Sequence, residues 1–347
     1  MASEKEKSIV DFLKLVSPGS PLRVVIDDLI RSDLGTTIVF DNPELANQKI
    51  IEGGFKINSK FSSQRLFELC KMDGAIIISS DLRKILFANV LLTPDSSISS
   101  IETGTRHKSA ERTAKQANTF VITVSERRRK TTLYYGPYRY NLKPTEELIR
   151  NVSTTLQLLE KQKELFSEFL NTLNILELTS LASVGDVCNV IQRAEIILRI
   201  SESIRRDFTE LGQEGNIMNI RFRELIKGVE KNLNEILKDY SSLSHKKSID
   251  FMREISFNEL LDSESIAKGL IGKPLDENTQ PKGYRFLESI STTSEETSQL
   301  IKKFKNLENI LQANEKDIND ILKDRSSIIS EEIKNLREQI LSRKVIY

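Results

Sequence analysis

Up to about Leu142, apolar residues switch between two spacings. Ile9, Phe12, Leu13 and Val16 fall on one helical face, which Pro18-Gly19 closes. A second helix is predicted from Leu22 to Ile30. Thr36-Thr37-Ile38-Val39-Phe40 has the β-branched and aromatic content of a strand, ended by Asp41-Asn42-Pro43. Phe61 to Lys71 returns to helical spacing, with Ser62 or Ser63 as its cap and Leu66, Leu69 and Cys70 inward. Strands follow at Ala75 to Ser79, Ile85 to Leu91, Phe120 to Ser125 and Thr132 to Tyr135, the last turning across Gly136-Pro137 into Arg139 to Leu142. Strands and helices mixed in this way predict a compact α/β domain over residues 1–143.

Beyond Lys143-Pro144 the strand pattern fades. Leu148, Val152, Leu156, Leu159, Phe166, Phe169, Leu170 and Leu173 recur at helical spacing, and further helices are predicted from Val184 to Leu211 and from Ile217 to Leu237. Such stripes are the core of a helical bundle, which makes residues 144–280 a spacer or spine. The polar stretch from Ser241 to Gln280, with Gly272-Lys273-Pro274 inside it, predicts a hinge into a last domain over residues 281–347. That domain is helical again, with Phe304, Leu307, Ile310, Leu311, Ile318, Ile321 and Leu322, then Ile328, Ile333, Leu336 and Ile340.

Charge narrows the functions available. The 347 residues carry 51 Lys and Arg against 50 Asp and Glu, a formal net charge of +1, so no global field draws the protein onto nucleic acid or an anionic membrane. Any anion binding is local. Cys70 and Cys188 lie far apart without a CxxC partner, which excludes a disulfide framework and a cysteine zinc site. The charged start and the strand-length apolar runs predict neither a signal peptide nor a membrane span, and so a cytoplasmic protein.

Candidate chemistry concentrates in Gly104-Thr105-Arg106-His107-Lys108, which opens a helix-like stretch from Ser109 to Gln116. Helix N-termini hold anions through unsatisfied N–H groups and the positive dipole end. Gly104 would permit a sharp entry, Arg106 and Lys108 would add charge-assisted bonds, and Thr105 and Ser109 hydroxyl donors. The same run also fits a capped surface helix with a solvated basic turn. Asp73-Gly74-Ala75 enters a strand, where the carboxylate could ligate a hard cation, or where Asp-Gly simply makes a turn. Arg127-Arg128-Arg129-Lys130 follows a strand end, a solvated loop or a ligand-binding edge. No Walker-type lysine loop, serine-hydrolase elbow or zinc motif is present.

Together these pieces resemble a known family. Met72-Asp73-Gly74-Ala75, Phe87-Ala88-Asn89-Val90 with Leu91-Leu92, Glu102-Thr103 before the glycine, the basic run through Glu111-Arg112, and Val124-Ser125 with its arginines resemble the diadenylate cyclase domain. Glu177-Leu178, Leu211-Gly212 and Gly283-Tyr284-Arg285 extend the resemblance to the DNA integrity scanning (DisA) family along the whole chain. It implies a mixed sheet flanked by helices, an all-α spine and a C-terminal helix-hairpin-helix-like all-α domain. It also implies a reaction, condensation of two ATP to cyclic di-AMP and two pyrophosphates, with cyclase domains facing each other in a homo-octamer. Carried over, Asp73 would bind Mg²⁺ or Mn²⁺ and help activate the 3′-hydroxyl. Gly74 and Leu92 would line the adenosine pocket, while Thr105, Arg106, His107, Lys108 and Ser109, with Ser125 and Arg128, would grip the phosphates.

The sequence departs from the family in places. Lys108 and Ser109 replace the usual Arg and Thr, which keeps charge and hydroxyl but gives up bidentate geometry at Lys108. Glu126 stands where an arginine is common. In the hairpin that would present backbone N–H groups to DNA phosphate, Asp324 and Ser326 replace both glycines. This predicts branched-DNA binding that is weak, shifted to Lys302, Lys303 and Lys305, or lost. Two other readings are a DNA-binding scaffold with an inactive cyclase domain, and an unrelated nucleotide-binding domain on a helical stalk.

Overall fold

A computed structural model describes residues 11–322 and 325–342 of the chain. Ile9, the charged N-terminal segment and Asp324 lie outside the described residues. The chain divides into two compact units, Met1–Ser153 with Arg205–Asn219, and Thr154–Ile204 with Ile220–Tyr347.

The first unit is built on eight strands: β1 (Thr36–Phe40), β2 (Ile51–Glu52), β3 (Phe55–Lys60), β4 (Ala75–Ile78), β5 (Lys84–Leu92), β6 (Phe120–Ser125), β7 (Lys130–Tyr135) and β8 (Tyr138–Leu142). They form a mixed sheet in the order β2-β5-β4-β1-β6-β7-β8, with β3 also on β5. β1 and β4 run parallel, with Ile38 opposite Ile76. β1 pairs antiparallel with β6, and β7 with β8.

Both faces of the central strands are covered, which is why they read as unbroken apolar runs. Ile38, Phe40, Ile76 and Ile78 join one core with Leu22, Val25, Ile26 and Leu29 of α1 (Pro21–Arg31). After α2 (Pro43–Asn47), α3 (Ser63–Leu69) adds Leu66 to that core, and Ser62 is its cap, accepting from the Arg65 N–H. Val39, Ala75 and Ile77 face the other way, against Ala110, Ala114 and Ala117 of α4 (Thr105–Ala117). Those alanines let α4 lie close to the sheet, and α4 carries the basic run.

β2 and β3 escape the sequence pattern. β3 is mostly exposed on an outer strand position, with Phe55 58% accessible, so only Phe55 and Ile57 carry an apolar signal, too short to mark a strand.

Beyond the sheet, three expectations are corrected or explained. The helix predicted from Ile217 to Leu237 is two, Asn216–Ile226 and Val229–Tyr240, because Gly228 sits at φ +78° between them. The predicted hinge at Ser241 to Gln280 is instead folded. It contains helices His245–Glu254, Phe257–Leu261 and Ser263–Ile266, which bury Met252, Leu260 and Ile266. Its serines and acids act as caps, Ser256 and Glu259 forming a reciprocal capping box. Glu177 and Gly283-Tyr284-Arg285 are structural: Arg285 bonds Glu177 at 2.6 Å, both fully buried, and Asp239 accepts the N–H groups of all three.

The C-terminal helices Glu315–Leu322 and Ser326–Leu341 share one apolar core through Ile318, Leu322, Ile329 and Ile333. Ser326 starts the second helix, buried and donating to Asn319.

Candidate functional site

α4 begins in an unusual electrostatic state. Gly104 is its N-cap, with no side-chain capping bond and no acidic residue in the first turn. Arg106, His107 and Lys108 therefore occupy the positive end of a helix, where acids are normally favoured. No acidic residue of the first turn relieves that crowding; an anion would. The expected sharp entry at Gly104 is corrected: its φ is −84°, which any residue adopts, and an added Cβ would meet nothing within 4 Å. Open space there leaves the free N–H groups accessible.

That helix end forms one wall of a cavity of about 650 Å³, within the range of small-molecule sites. Thr105, Arg106, His107 and Ser109 line it from α4. Gly74 just before β4 and Leu92 of β5 line it, as do Ser125 at the end of β6 and Glu126, Arg127 and Arg128 of the turn that follows. Eight of the residues singled out from sequence thus converge. Asp73 and Lys108 do not line the cavity; Asp73 is exposed immediately before Gly74, and Lys108 is half-buried. In the basic turn, Arg129 pairs with Asp33 at 2.7 Å and is turned to a structural use, while Lys130 lines an adjoining cavity of about 410 Å³.

Two glycines shape the site. Gly74 has φ +86°, and a Cβ there would come within 2.9 Å of the β5 backbone at Asn89 and Val90. The turn and the close approach both demand glycine. Gly35, just before β1, makes room for Arg106: an added Cβ would overlap Arg106 Nη1 and lie 3.3 Å from its Cζ.

The loop entering α4 is held by the helix itself. Glu111 accepts from Ser100 Oγ at 2.5 Å and from the Ile101 N–H, and Arg112 donates to the Ile98 carbonyl at 2.8 Å. This delivers Glu102 to the hairpin of β7 and β8. Tyr134 Oη donates to Glu102 Oε1 at 2.9 Å, Arg139 Nε bonds the same oxygen at 2.5 Å, and His107 Nδ1 lies 2.9 Å from Tyr134 Oη. Sequence reasoning missed Tyr134 and Arg139. They face each other across the hairpin, so their register was the available signal.

The network polarises its members. Burial opposes ionisation of Glu102, but the bonds from Arg139 and Tyr134 outweigh it and hold the carboxyl below its usual range. Burial, with Arg128, Arg106 and Arg139, lowers His107 against the pull of Glu102, so the imidazole is neutral at pH 7. Burial and the bond to Glu102 push Tyr134 upward.

No group of three or more His, Cys, Asp or Glu side chains among the described residues is placed to hold a metal ion. A lone exposed carboxylate fits a Mg²⁺-type ion completed by substrate phosphates and water, and does not fit an all-protein cage. Among the described residues no helix is long and apolar enough to cross a membrane.

Comparison with known proteins matches residues 24–138 to the family described as DisA bacterial checkpoint controller nucleotide-binding, and residues 142–279 to the DisA bacterial checkpoint controller linker region. The chain is 38% identical over 350 residues to the DNA integrity scanning protein DisA of Clostridium kluyveri, covering 98% of this chain and 99% of that relative. It is 37% identical to that of Clostridium botulinum strain Loch Maree, covering 99% and 100%, and 36% identical to that of Acetivibrio thermocellus, covering 99% and 98%. Among solved structures, DacA of Staphylococcus aureus is 22% identical with a TM-score of 0.32, covering 44% of this chain and 97% of that one.

Proposed function

The chain belongs to the DNA integrity scanning protein DisA family, and from that premise we propose that it is a diadenylate cyclase, condensing two ATP into cyclic di-AMP and two pyrophosphates. The observation that carries this reading is the uncapped, acid-free start of α4, whose basic first turn opens into the cavity. A triphosphate supplies the missing negative charge.

Each step assigns work to residues already placed. Thr105, Arg106 and Ser109 donate to phosphate oxygens from α4, and Ser125 and Arg128 from the opposite turn. Lys108 contributes charge from just outside the cavity. Gly74 and Leu92 bound the adenosine side, where glycine allows close approach. Asp73 would hold Mg²⁺ or Mn²⁺ against the phosphates; when bound, the ion neutralises phosphate charge and aids activation of the 3′-hydroxyl. The 3′-hydroxyl of one nucleotide attacks the α-phosphate of the other, forming a P–O bond and releasing pyrophosphate. Phosphoryl transfer of this kind depends mainly on positioning and charge stabilisation. One cavity holds one ATP, so two cyclase domains must face each other, in this reading within a homo-octamer.

DNA binding by the C-terminal helices belongs to the same reading in weakened form. Ser326 is buried in its helix start, and Lys303 is engaged with the Asp317 carbonyl at 2.7 Å. A mobility shift with branched DNA over a salt series checks this: weak binding with a shallow salt slope is expected.

Incubation with ATP and Mg²⁺ or Mn²⁺, with chromatographic identification of the product, tests the cyclase. Cyclic di-AMP is expected from the parent and none from Asp73→Asn. An Asp73→Asn variant as active as the parent would refute the assignment of Asp73, and no cyclic di-AMP from the parent would refute the function.

A further inference from the structure

His107 has a partner on one ring nitrogen. Nδ1 lies 2.9 Å from Tyr134 Oη, whose single proton goes to Glu102 Oε1. Glu102 is ionised and already accepts from Arg139, and an ionised carboxylate can only accept. With the hydroxyl proton committed to Glu102, the proton between Nδ1 and Oη must sit on Nδ1. The neutral ring is then the Nδ1–H tautomer, with its lone pair on Nε2. Nε2 has no hydrogen bond to the described residues, and His107 lines both adjoining cavities.

A bare lone pair is a poor neighbour for phosphate oxygens, which are acceptors themselves. A protonated Nε2 is a good one, making a charge-assisted bond. Resting on the triphosphate reading above, we propose that Tyr134, Glu102 and Arg139 are positioning residues that hold His107 as the Nδ1–H tautomer, and that Nε2 takes up a proton from solvent when a triphosphate enters, becoming a donor to it. One N–H bond forms at Nε2, solvent loses the proton, and the ring gains a positive charge. Nδ1–H stays bonded to Tyr134 throughout, so the ring need not turn.

The charges facing the ring set the direction of the change. Arg106 on α4, Arg128 in the turn after β6 and Arg139 on β8 oppose its protonation, and Glu102 in the entry loop favours it. Without ligand the burial and the arginines win. A bound triphosphate offsets the same arginines, which leaves Glu102 to stabilise the imidazolium through Tyr134.

Two measurements test this. Ring ¹⁵N NMR of His107 in the ligand-free protein should show a protonated Nδ1 and an unprotonated Nε2 above the titration range of the imidazole; the opposite tautomer overturns the proposal whatever the ligand. Calorimetry with 3′-deoxyATP, which lacks the attacking hydroxyl, in buffers of different ionisation heat then counts protons. The parent should take up a large fraction of one proton, and His107→Asn none. Tyr134→Phe should show mixed tautomers, less uptake and roughly tenfold weaker binding, the equivalent of about 1.4 kcal/mol. If Tyr134→Phe fails to fold, Glu102→Gln serves in its place. Binding without proton uptake by the parent overturns the proposal and leaves the triphosphate reading standing; no binding at all overturns that reading, while the NMR result still judges the tautomer.

Discussion

Gly35→Ala isolates the contribution of Arg106 without touching Arg106. Gly35 does not have a left-handed φ, so alanine can adopt its backbone without strain. The added methyl would overlap Arg106 Nη1 and lie 3.3 Å from Cζ and from Glu126 Cβ. A long flexible side chain yields more easily than a strand, so the guanidinium is the group that moves. A displaced Arg106 loses one charge-assisted bond to phosphate, worth about 1.5–3 kcal/mol, which is about 10- to 150-fold in ATP affinity. Folding stability should hold or rise by up to about 1 kcal/mol, because alanine reduces the entropy of the unfolded chain. Titration calorimetry with ATP and chemical denaturation read the two effects separately. The Gly35→Ala/Arg106→Ala double variant should bind no worse than Arg106→Ala alone. Unchanged ATP affinity in Gly35→Ala, or fully additive losses in the double variant, would refute the reasoning.

Three further outcomes are expected. Gly74→Ala should cost about 1–2 kcal/mol for the left-handed backbone alone, with the clash against the backbone of Asn89 and Val90 adding to it, and equilibrium denaturation should show the loss. Glu177→Ala should break the buried ion pair with Arg285 at a cost of about 3–5 kcal/mol, lowering the melting temperature of its unit by about 6–20 °C, whereas a melt unchanged from the parent would show that the ion pair contributes nothing. Glu235 is pushed up to about 7 by burial and the neighbouring Glu288, so its contribution to stability is present below the ordinary carboxylate range and is lost as pH rises through about 7. Denaturation across that window should show the decline in the parent and a flatter profile in Glu235→Gln.

Legibility followed locality. β6 and the helix Val184–Leu211 match their predicted limits, because a two-residue or 3.6-residue period is carried by neighbouring residues. β3 was illegible because it is an outer strand with little buried surface, and Gly228 was overlooked because the apolar stripe continues on either side of it. The supposed hinge failed for a related reason. Ser241, Ser242 and Ser248 are polar, yet they are bonded inside the fold, Ser248 to Ser241 at 2.8 Å and Ser242 to the Leu270 carbonyl at 2.9 Å. Composition registers their polarity and cannot register that it is satisfied.

The cavity shows the same division. Residues in one run, Thr105, Arg106, His107 and Ser109, were identifiable from sequence because consecutive positions on a first helical turn must share a helix end. Gly74, Leu92, Ser125 and Arg128 were identifiable through resemblance, and the sheet then brings them to that end. The chain by itself determined six of the eight strands, the two long helices and the cation-rich turn, all set by interactions within a few residues. The tertiary structure decided that Gly104 is not sterically required, that Gly35 yields space to Arg106, and that Glu102, Tyr134 and Arg139 converge on His107. Those contacts join residues up to 71 positions apart, Gly35 and Arg106 among them, and depend on strand register and helix placement that no local pattern encodes.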